Sequence, residues 1–470
     1  MKTKVAIYSK RAFPQEILDE LEKLSEISKT EALERALNYL LRELPVKNRS
    51  LWAKISYEIE LTKFMQSKVF ARAGVFAWTL RPRDFKALEA IYSLPSVKRL
   101  GDIAEIKEGD TTRQEEKKVE EKNLSEVVVD DYYRVIRGRN VKPYCIIWEG
   151  SYLKKEYARK IDEKRLKRRI LVRDVAPCII AAVPDTAYRC LRTVYCIELK
   201  KRESEKPEIV EVFNKWLNDE EKAWAVVLHY LAGLLNSKLI NALYYALFYM
   251  SQMSPREGNF RFRSQFLQPL PIVVPKSKGE LEKCCKIAEK CMNMTTISKR
   301  IHELLDRVNE FPDPYVKELS SRDIGLLRDH VVIRKSSKAF RTGCIKLQET
   351  VDGKTALTSG KDVIICKGRV HAEIVERVLM RRFRGKKVEW SKLLKVEVPV
   401  DEAASRKILE RYRKDLEELK ALTKRYRDIQ ARIDALVNDL FKAPRIDQEY
   451  YLHYLGEKER MELTSGLSGE

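Results

Sequence analysis

The chain has 470 residues and a formal net charge of +22, from 92 Lys and Arg against 70 Asp and Glu. Its hydrophobic fraction of 44% argues against wholesale disorder, and at roughly 150 residues per domain its length predicts about three domains. The sequence lacks a bilayer-length apolar run, a signal-peptide pattern and Cys-X-X-Cys pairs. This argues against membrane insertion, secretion and structural zinc, and predicts a cytoplasmic protein with reduced thiols.

The excess positive charge is concentrated in two stretches. Residues 154–173 hold ten Lys and Arg against three Asp and Glu, and residues 376–387 hold six against one. Such a surface attracts polyanions, and nucleic acid is the default partner. The alternative is that the charge serves solubility or heat adaptation, since 34% of the residues are charged.

The first 92 residues are predicted to form a small mixed α/β region, in which the short strand VAIYS precedes the helical stretches ILDELEKLSEIS and EALERALNYLLREL. Residues 97–200 are predicted to be β-rich, because segments rich in Val, Ile and Tyr are separated by Gly, Pro or Asp. The candidate strands are GDIAEIKEG, YYRVIRG, YCIIWEG, RRILVRDVAPCIIAAV and TVYCIELK.

Two later segments repeat seam residues at alternating spacings of three and four, which predicts a pair of coiled-coil-type helices. Asp313-Pro314 stops the region after the first helix, and Ala443-Pro444 stops the second. The polar seam residues Ser298, Thr423 and Gln430 would help to fix the register if the two helices pair. The other seam positions are Cys284, Ile287, Cys291, Met294, Ile301, Leu305 and Val308 in the first helix, and Leu409, Tyr412, Leu416, Leu419, Tyr426, Ile433, Val437 and Leu440 in the second.

The segments before the two long helices share a pattern. Each reads as a helix, a loop, an extended segment ending near a proline and then the long helix: 223–250 with 266–275 in one copy, 371–383 with 390–400 in the other. We interpret this as an internal duplication with a shortened second copy. The predicted fold class is α+β, with β-rich domains flanked by long coiled-coil-type helices and a small α/β N-terminal region. The predicted boundaries are 1–92, 93–275, 276–310, 311–400, 401–443 and a tail at 444–470.

Five segments, in this order, resemble a known family. They are LGDIAEIKEGDTT (100–112), VIRGRNVKPY (135–144), KRRILVRDVA (167–176), LAGLLNSKLINALYY (231–245) and GNFRFRSQFLQPLPIVVP (258–275). Together they resemble the TaqI-like specificity domain, or target-recognition domain, of adenine-N6 DNA methyltransferases and restriction–modification enzymes. The resemblance covers about 93–275, and helices of specificity-subunit type extend it to about 441. The N-terminal stretch resembles the segment that joins a methyltransferase core to its recognition domain. The chain departs from the family's glycine-threonine-glycine turn, which here reads Gly109-Asp110-Thr111-Thr112.

A domain of this kind implies duplex DNA as a partner, read by loop residues while flanking cations hold phosphates. Arg137 and Arg139 are candidate guanine readers, and Asn140 is a candidate adenine reader. The alternative is that RGRN is only a solvated hairpin turn. Other candidate DNA contacts are Arg261, Arg263 and Gln265, on the strand face opposite Phe260 and Phe262, and the phosphate-contacting set Lys164, Arg165, Lys167, Arg168 and Arg169. The two phenylalanines are expected to cover the LLNSKLINALYY helix.

The sequence offers little of its own for catalysis. An Asn/Asp-Pro-Pro-aromatic tetrapeptide and a Gly-rich loop for S-adenosylmethionine are both missing, and Asp313-Pro314-Tyr315 is best read as a helix stop. S-adenosylmethionine is therefore expected on a partner subunit. Asp185, Glu198 and Lys200 have the letters of a PD…ExK nuclease, which would need Mg²⁺. That pattern is weak, because ExK triplets arise easily in a highly charged chain. The five histidines lack metal-ligand spacing, and His229 is expected to be a packed core residue.

These observations predict a sequence-specific duplex-DNA recognition subunit of a restriction–modification or related defence system, without catalytic residues or a metal site of its own. It would direct an adenine-N6 methyltransferase partner, and a nuclease subunit if cleavage accompanies methylation. The alternative is the C-terminal half of a split methyltransferase–endonuclease. A third interpretation is a coiled-coil adaptor that uses its basic face to bind RNA.

Overall fold

The structure, a computed structural model, describes residues 2–6, 56–60, 82–121, 131–200, 206–248, 260–350, 352 and 354–442. The predicted helices of the first 50 residues, the stop at Ala443-Pro444 and the tail lie outside these residues. The described chain mixes helices with open sheets, which confirms the α+β class. It divides into two compact units: unit 1 comprises the described residues within 1–299 and 426–442, and unit 2 comprises those within 300–425. The predicted domain boundaries stay a prediction.

Unit 1 contains short strands that pair mostly antiparallel. Two four-stranded sheets have the orders β12-β10-β14-β4 and β13-β6-β9-β5, and in the second β13 and β6 are parallel. The strands are β1 (Lys2–Ala6), β2 (Ser56–Glu60), β3 (Val97–Arg99), β4 (Ala104–Glu108), β5 (Glu120–Glu121), β6 (Tyr132–Ile136), β7 (Val141–Lys142), β8 (Cys145–Ile146), β9 (Ser151–Lys154), β10 (Ile170–Arg173), β11 (Val175–Ala176), β12 (Ala181–Ala182), β13 (Tyr188–Cys190), β14 (Val194–Leu199), β15 (Phe260–Arg261) and β16 (Pro271–Val273). The predicted β-rich character of 97–200 is thus confirmed.

The helices described in unit 1 are α1 (Pro82–Ser93), α2 (Leu100–Ile103), α3 (Arg113–Glu116), α4 (Glu163–Lys167), α5 (Glu208–Leu217), α6 (Glu220–Leu235), α7 (Lys238–Phe248), α8 (Ser264–Leu267) and the first part of α9 (Lys278–Asn309). The segment GDIAEIKEG, predicted to be a strand, begins as helix α2 and becomes strand β4 only at Ala104.

Helices α6 and α7 form the apolar centre of unit 1. The sequence predicts one helix over 223–250, but the chain breaks at Asn236 and Ser237. The Asn236 side chain donates to the carbonyl of Ala181 at 2.8 Å and accepts from its N–H at 3.0 Å. The break therefore ties the helices to strand β12, and Leu234 and Leu235 just before it are fully buried. Among the described residues, no single helix is long and apolar enough to cross a bilayer, and α6 with α7 meets that test only as a pair bent by 57°.

Unit 2 is smaller and is built around the four-stranded sheet β18-β22-β21-β20. Its strands are β17 (Ile324–Leu326), β18 (Val332–Arg334), β19 (Ala339–Arg341), β20 (Lys346–Glu349), β21 (Thr355–Ser359), β22 (Asp362–Cys366), β23 (Lys387–Glu389) and β24 (Glu397–Pro399). Its helices are α10 (Asp313–Lys317), α11 (Leu327–His330), α12 (Arg369–Phe383), α13 (Trp390–Leu393) and most of α14 (Glu402–Leu440). The core includes Phe340, Leu357, Ile364 and Trp390.

Units 1 and 2 contain the same arrangement of a two-strand pair that leads into a short helix, which supports the predicted internal duplication. In unit 1, β3 pairs with β16 and leads directly into α2; in unit 2, β17 pairs with β24 and leads directly into α11. The same backbone bond follows each pair: the N–H of Leu100 donates to Leu270, and the N–H of Leu327 donates to Val396, both at 2.8 Å. In each unit a four-residue helix, α8 or α13, precedes the closing strand and a long helix follows it.

The two long helices each contribute to both units. Within unit 2 they run antiparallel, because Arg300 pairs with Glu418 at 2.7 Å and Arg307 pairs with Asp415 at 2.9 Å. Of the predicted seam positions, those in unit 1 are buried and most of those in unit 2 are half-buried. Ile297 and Leu304, one heptad apart, are buried as well, so the apolar stripe of α9 is wider than a two-position seam.

The polar seam residues bond to partners other than the opposite helix. In unit 1, Gln430 accepts from the hydroxyl of Tyr144 at 2.6 Å, and Ser298 donates to the carbonyl of Pro143 at 2.7 Å. Thr423 donates back to its own helix. The expectation that these residues fix the register between the helices is therefore corrected: two of them fasten α9 and α14 to the loop before β8.

Candidate nucleic-acid interface

The loop between β6 and β7 contains three of the predicted DNA-contacting residues. Asn140 is only 3% exposed; its Oδ1 accepts from the N–H of Arg137 at 2.7 Å, and its Nδ2 donates to the carbonyl of Ile147 at 2.9 Å. The buried side-chain amide of Asn140 therefore stabilises the turn through these two hydrogen bonds. Reading adenine with Asn140 would require this turn to open.

Gly138 is the residue that lets the turn lie against Thr193, which directly precedes β14. Its N–H donates to the hydroxyl of Thr193 at 2.9 Å, and a Cβ at this position would lie 2.6 Å from the carbonyl oxygen of Thr193. That separation is far below van der Waals contact, so a glycine is required here for close approach rather than for an unusual φ.

We expect Gly138→Ala to destabilise unit 1 by about 1–3 kcal/mol, because the methyl group must displace a backbone carbonyl. Urea unfolding followed by tryptophan fluorescence measures the change. The matched control is Gly279→Ala in α9, where a Cβ meets nothing within 4 Å. The control should be neutral or slightly stabilising, since Ala favours helices. An equal effect of the two substitutions would contradict this account of the turn.

Arg137 and Arg139 point outwards from the same turn. Their side chains are 37% and 57% exposed, with Glu121 at 3.7 Å from Arg137 and Glu149 at 2.8 Å from Arg139. Exposed ion pairs are worth at most about 1 kcal/mol. A phosphate or a guanine edge can therefore replace either carboxylate at little cost, and both arginines remain candidate DNA contacts.

The basic segment around α4 is largely neutralised by carboxylates of unit 1. Lys164 and Arg168 both pair with Glu221, and Arg165 pairs with Glu198 at 2.7 Å. Arg168 also lies over the ring of Trp224, at 4.7 Å from its centroid. Lys167 is exposed and has no ion pair among the described residues, which makes it the clearest candidate for a phosphate contact in this segment.

Arg169 has a different environment from its neighbours. Its side chain is 1% exposed, and Nη1 donates to Asp110 at 2.7 Å. Nη2 donates to the carbonyl of Tyr188 at 2.5 Å. The role predicted for Arg169, a phosphate contact, does not fit this burial.

The FRFRSQF segment follows the predicted strand alternation only at its start, because strand β15 ends at Arg261 and Gln265 lies in helix α8. Phe262 is fully buried, with its ring centroid 4.9 Å from that of Tyr244 in α7, which confirms that this phenylalanine covers the helix. Arg261, Arg263 and Gln265 are exposed. Arg261 pairs with the buried carboxylate of Asp174 at 3.0 Å. Arg263 and Gln265 are therefore the more available pair for DNA.

An internal charge cluster centred on Asp110 was missed by sequence reasoning. Asp110 accepts from Arg169 at 2.7 Å, from Arg189 at 2.6 Å and from the N–H of Cys190 at 3.1 Å. Arg189 is fully buried and also reaches Glu115 at 3.2 Å. Burial opposes ionisation of Glu115, but hydrogen bonds from Thr112 and from the backbone N–H of Arg159, together with the charge of Arg189, lower the pKa of this carboxyl. The one sequence signal was the Asp in the altered turn after β4.

This cluster also contains a group of potential metal ligands. Ligand atoms of Asp110, Cys190 and Cys196 lie within 4.8 Å of one another. The guanidinium of Arg169, however, donates to both Asp110 and the sulfur of Cys190. The guanidinium of Arg169 thus already supplies the positive charge that these ligand atoms would otherwise attract from a metal ion.

The three letters of the nuclease pattern have separate partners. Asp185 accepts from the hydroxyl of Tyr188 at 2.9 Å, Glu198 pairs with Arg165, and Lys200 donates to the carbonyl of Gly101. Asp185 is 49% exposed, whereas Glu198 is 17% exposed in a central strand. Each of these three residues thus makes a structural contact, and DNA cleavage by Asp185, Glu198 and Lys200 stays a prediction. His229 is half-buried and bonds to the carbonyl of Ala225, as expected of a packed residue.

Comparison with known proteins gives one family. Residues 133–272 match the model of the TaqI-like C-terminal specificity domain. No match was found among curated proteins. Solved structures with some likeness include the type-I restriction-modification system S subunit from M. genitalium, at TM-score 0.33 and 10% identity over 74% of this chain and 96% of that one. Another is the HsdS subunit from Thermoanaerobacter tengcongensis, at TM-score 0.26 and 10% identity over 74% and 97%.

Proposed function

We propose that the chain is a DNA sequence-specificity subunit of a restriction–modification system, because residues 133–272 match the model of the TaqI-like C-terminal specificity domain. The family match is the observation that carries the proposal. It covers the turn of Arg137 and Arg139 and the segment of Arg263 and Gln265, all four with exposed or half-exposed side chains. The net charge of +22 suits a protein that holds a polyanion.

The associated chemistry belongs, in this proposal, to a separate adenine-N6 methyltransferase subunit that binds S-adenosylmethionine. The long helices α9 and α14 supply an extended surface for docking it, because many of their outward positions are exposed and charged. A nuclease subunit that uses Mg²⁺ joins the complex if cleavage accompanies methylation.

The direct test is selection of bound sequences from random duplexes by the purified chain, with isothermal titration of S-adenosylmethionine in parallel. Enrichment of one short sequence, with salt-sensitive affinity, is the expected result. Equal recovery of all duplexes would contradict sequence recognition. Tight binding of S-adenosylmethionine by the chain alone would contradict a separate cofactor-binding subunit.

We expect alanine substitutions in the turn and in the basic segment to affect DNA binding in different ways. Arg139→Ala should cost about 1–3 kcal/mol on the selected duplex and little on random duplexes, because a lost base contact removes discrimination. Lys167→Ala, the matched control, should weaken both duplexes alike through a lost phosphate contact. Competition binding measures both ratios. A uniform loss for Arg139→Ala would place this residue on the phosphate backbone instead.

A further inference from the structure

Unit 2 contains a strongly basic concavity of about 410 Å³ that the proposed function leaves unassigned. It lies between the end of α12, strand β23 and helix α13. We call it the basic concavity and define it by its charged residues: Arg382, Arg384, Lys386, Lys387, Glu389 and Lys392. It includes part of the second basic stretch of the sequence, outside the matched specificity domain.

The backbone holds this concavity in a fixed shape. Helix α12 ends where Arg384 and Gly385 adopt φ of +49° and +75°, which turns the chain sharply into β23. Thr342 donates its hydroxyl to the carbonyl of Lys386 at 2.8 Å, and β23 pairs with β19. A Cβ on Gly343 would lie 2.6 Å from the carbonyl oxygen of Gly385, so the two loops are in close contact. The cations therefore project from a rigid frame.

The cations of the concavity lack carboxylate partners within the described part of unit 2. All five are exposed, and the only acidic residue in the lining is Glu389. Other cations of unit 2 differ: Arg381 lies 3.5 Å from Asp313, and Lys407 pairs with Asp323 at 2.9 Å. A concave surface with four more positive than negative charges concentrates field lines and attracts anions.

The arrangement suits a chain of phosphates better than one small anion. The five cations are spread over a helix end, a turn, a strand and a second helix, and the apolar lining is limited to Phe383 and Val388. An apolar ligand would find little surface to bury there. We infer that the basic concavity binds the phosphodiester backbone of duplex DNA and adds affinity that does not depend on sequence. This inference rests on the proposed function, since the same duplex is read by the specificity domain.

The test compares two triple variants of the full chain. Arg382→Gln/Lys386→Gln/Lys387→Gln removes cations of the concavity, and Lys361→Gln/Lys414→Gln/Lys420→Gln removes three exposed lysines of unit 2 outside it. Binding to a selected and to a random duplex is measured over a series of salt concentrations. Each lost phosphate contact lowers the slope of log K against log salt by about 0.9. The first variant should lose at least about tenfold affinity at low salt for both duplexes, with their ratio unchanged, while the second keeps most of the slope.

The outcomes separate the two proposals. A wild-type chain that binds all duplexes equally contradicts sequence recognition, whereas a concavity variant with the wild-type slope contradicts only the inference about the concavity. Loss of single-stranded RNA binding with duplex binding unchanged would also overturn it. Thermal unfolding midpoints check that both variants fold, and the single variant Lys392→Gln, with a slope change of about one contact, repeats the test with minimal perturbation.

Discussion

Replacing Asp110 with alanine is expected to unfold unit 1 under mild conditions. The substitution removes the carboxylate that both Arg169 and Arg189 contact, and these side chains are 1% and 0% exposed. Arg189 keeps Glu115, but Arg169 is left as a buried cation with only a backbone carbonyl and a thiol. Breaking a buried ion pair costs about 3–5 kcal/mol, which is a large share of the 5–15 kcal/mol that stabilises a typical domain.

Urea unfolding of Asp110→Ala, compared with Glu105→Ala, measures this effect. Glu105 is 55% exposed and pairs with Lys107, so its removal should cost less than about 1 kcal/mol. Asp110→Asn serves as the second variant, since it keeps the shape and one acceptor but removes the charge. A midpoint for Asp110→Ala close to that of the Glu105 control would show that the arginines find other partners.

Asp434→Asn is expected to stabilise the protein at neutral pH. Burial raises the pKa of Asp434 to about 6, and among the described residues no donor reaches its Oδ2. Its Oδ1 accepts from the N–H of Lys238, at the start of α7, at 2.9 Å. An asparagine keeps that acceptor and removes the buried charge. With an unperturbed Asp pKa of about 3.9, the difference of about two pKa units corresponds to about 3 kcal/mol.

The sign of the pH effect follows from the raised pKa. Below about pH 4 the carboxyl is protonated whether or not the chain is folded, so the two proteins should unfold alike. Between about pH 4 and pH 6 the folded chain keeps a proton that the unfolded chain has released, so wild type loses stability relative to the variant as the pH rises, and above about pH 6 the difference levels off. Unfolding free energies at pH 4, 5, 6 and 7.5 give the difference curve. Asp428→Asn, at an exposed position of the same helix, is the control for removing a carboxylate from α14. A difference in unfolding free energy between Asp434→Asn and wild type that does not change with pH would contradict the burial of an ionised group.

Much of the fold was predictable from residue pattern. Short strands rich in Val, Ile and Tyr account for β6, β10 and β14, and the spacing of three and four predicted both long helices. The burial of Phe262 against α7 followed from simple alternation along an extended segment. These features depend on local sequence, which is why they could be found without tertiary information.

The remaining features depend on partners far away in the chain. Arg169 lies in a run of cations that all look alike in sequence, and only its contact with Asp110, 59 positions earlier, distinguishes it. In the sequence, Asn236 resembles a polar residue that a helix tolerates. Its hydrogen bond to the backbone of Ala181, which marks the break between α6 and α7, is visible only in the fold.

The last part of α14 constrains the order in which the two units fold during synthesis. Tyr426, Gln430, Ile433 and Val437 are buried in unit 1, yet the ribosome makes all of unit 2 before it reaches them. At 5–20 residues per second, the roughly 140 residues from the first part of unit 1 to the end of α14 take about 7–28 s. During that interval the apolar surface of unit 1 that these residues cover is exposed, so unit 1 completes its folding only after unit 2 has been made.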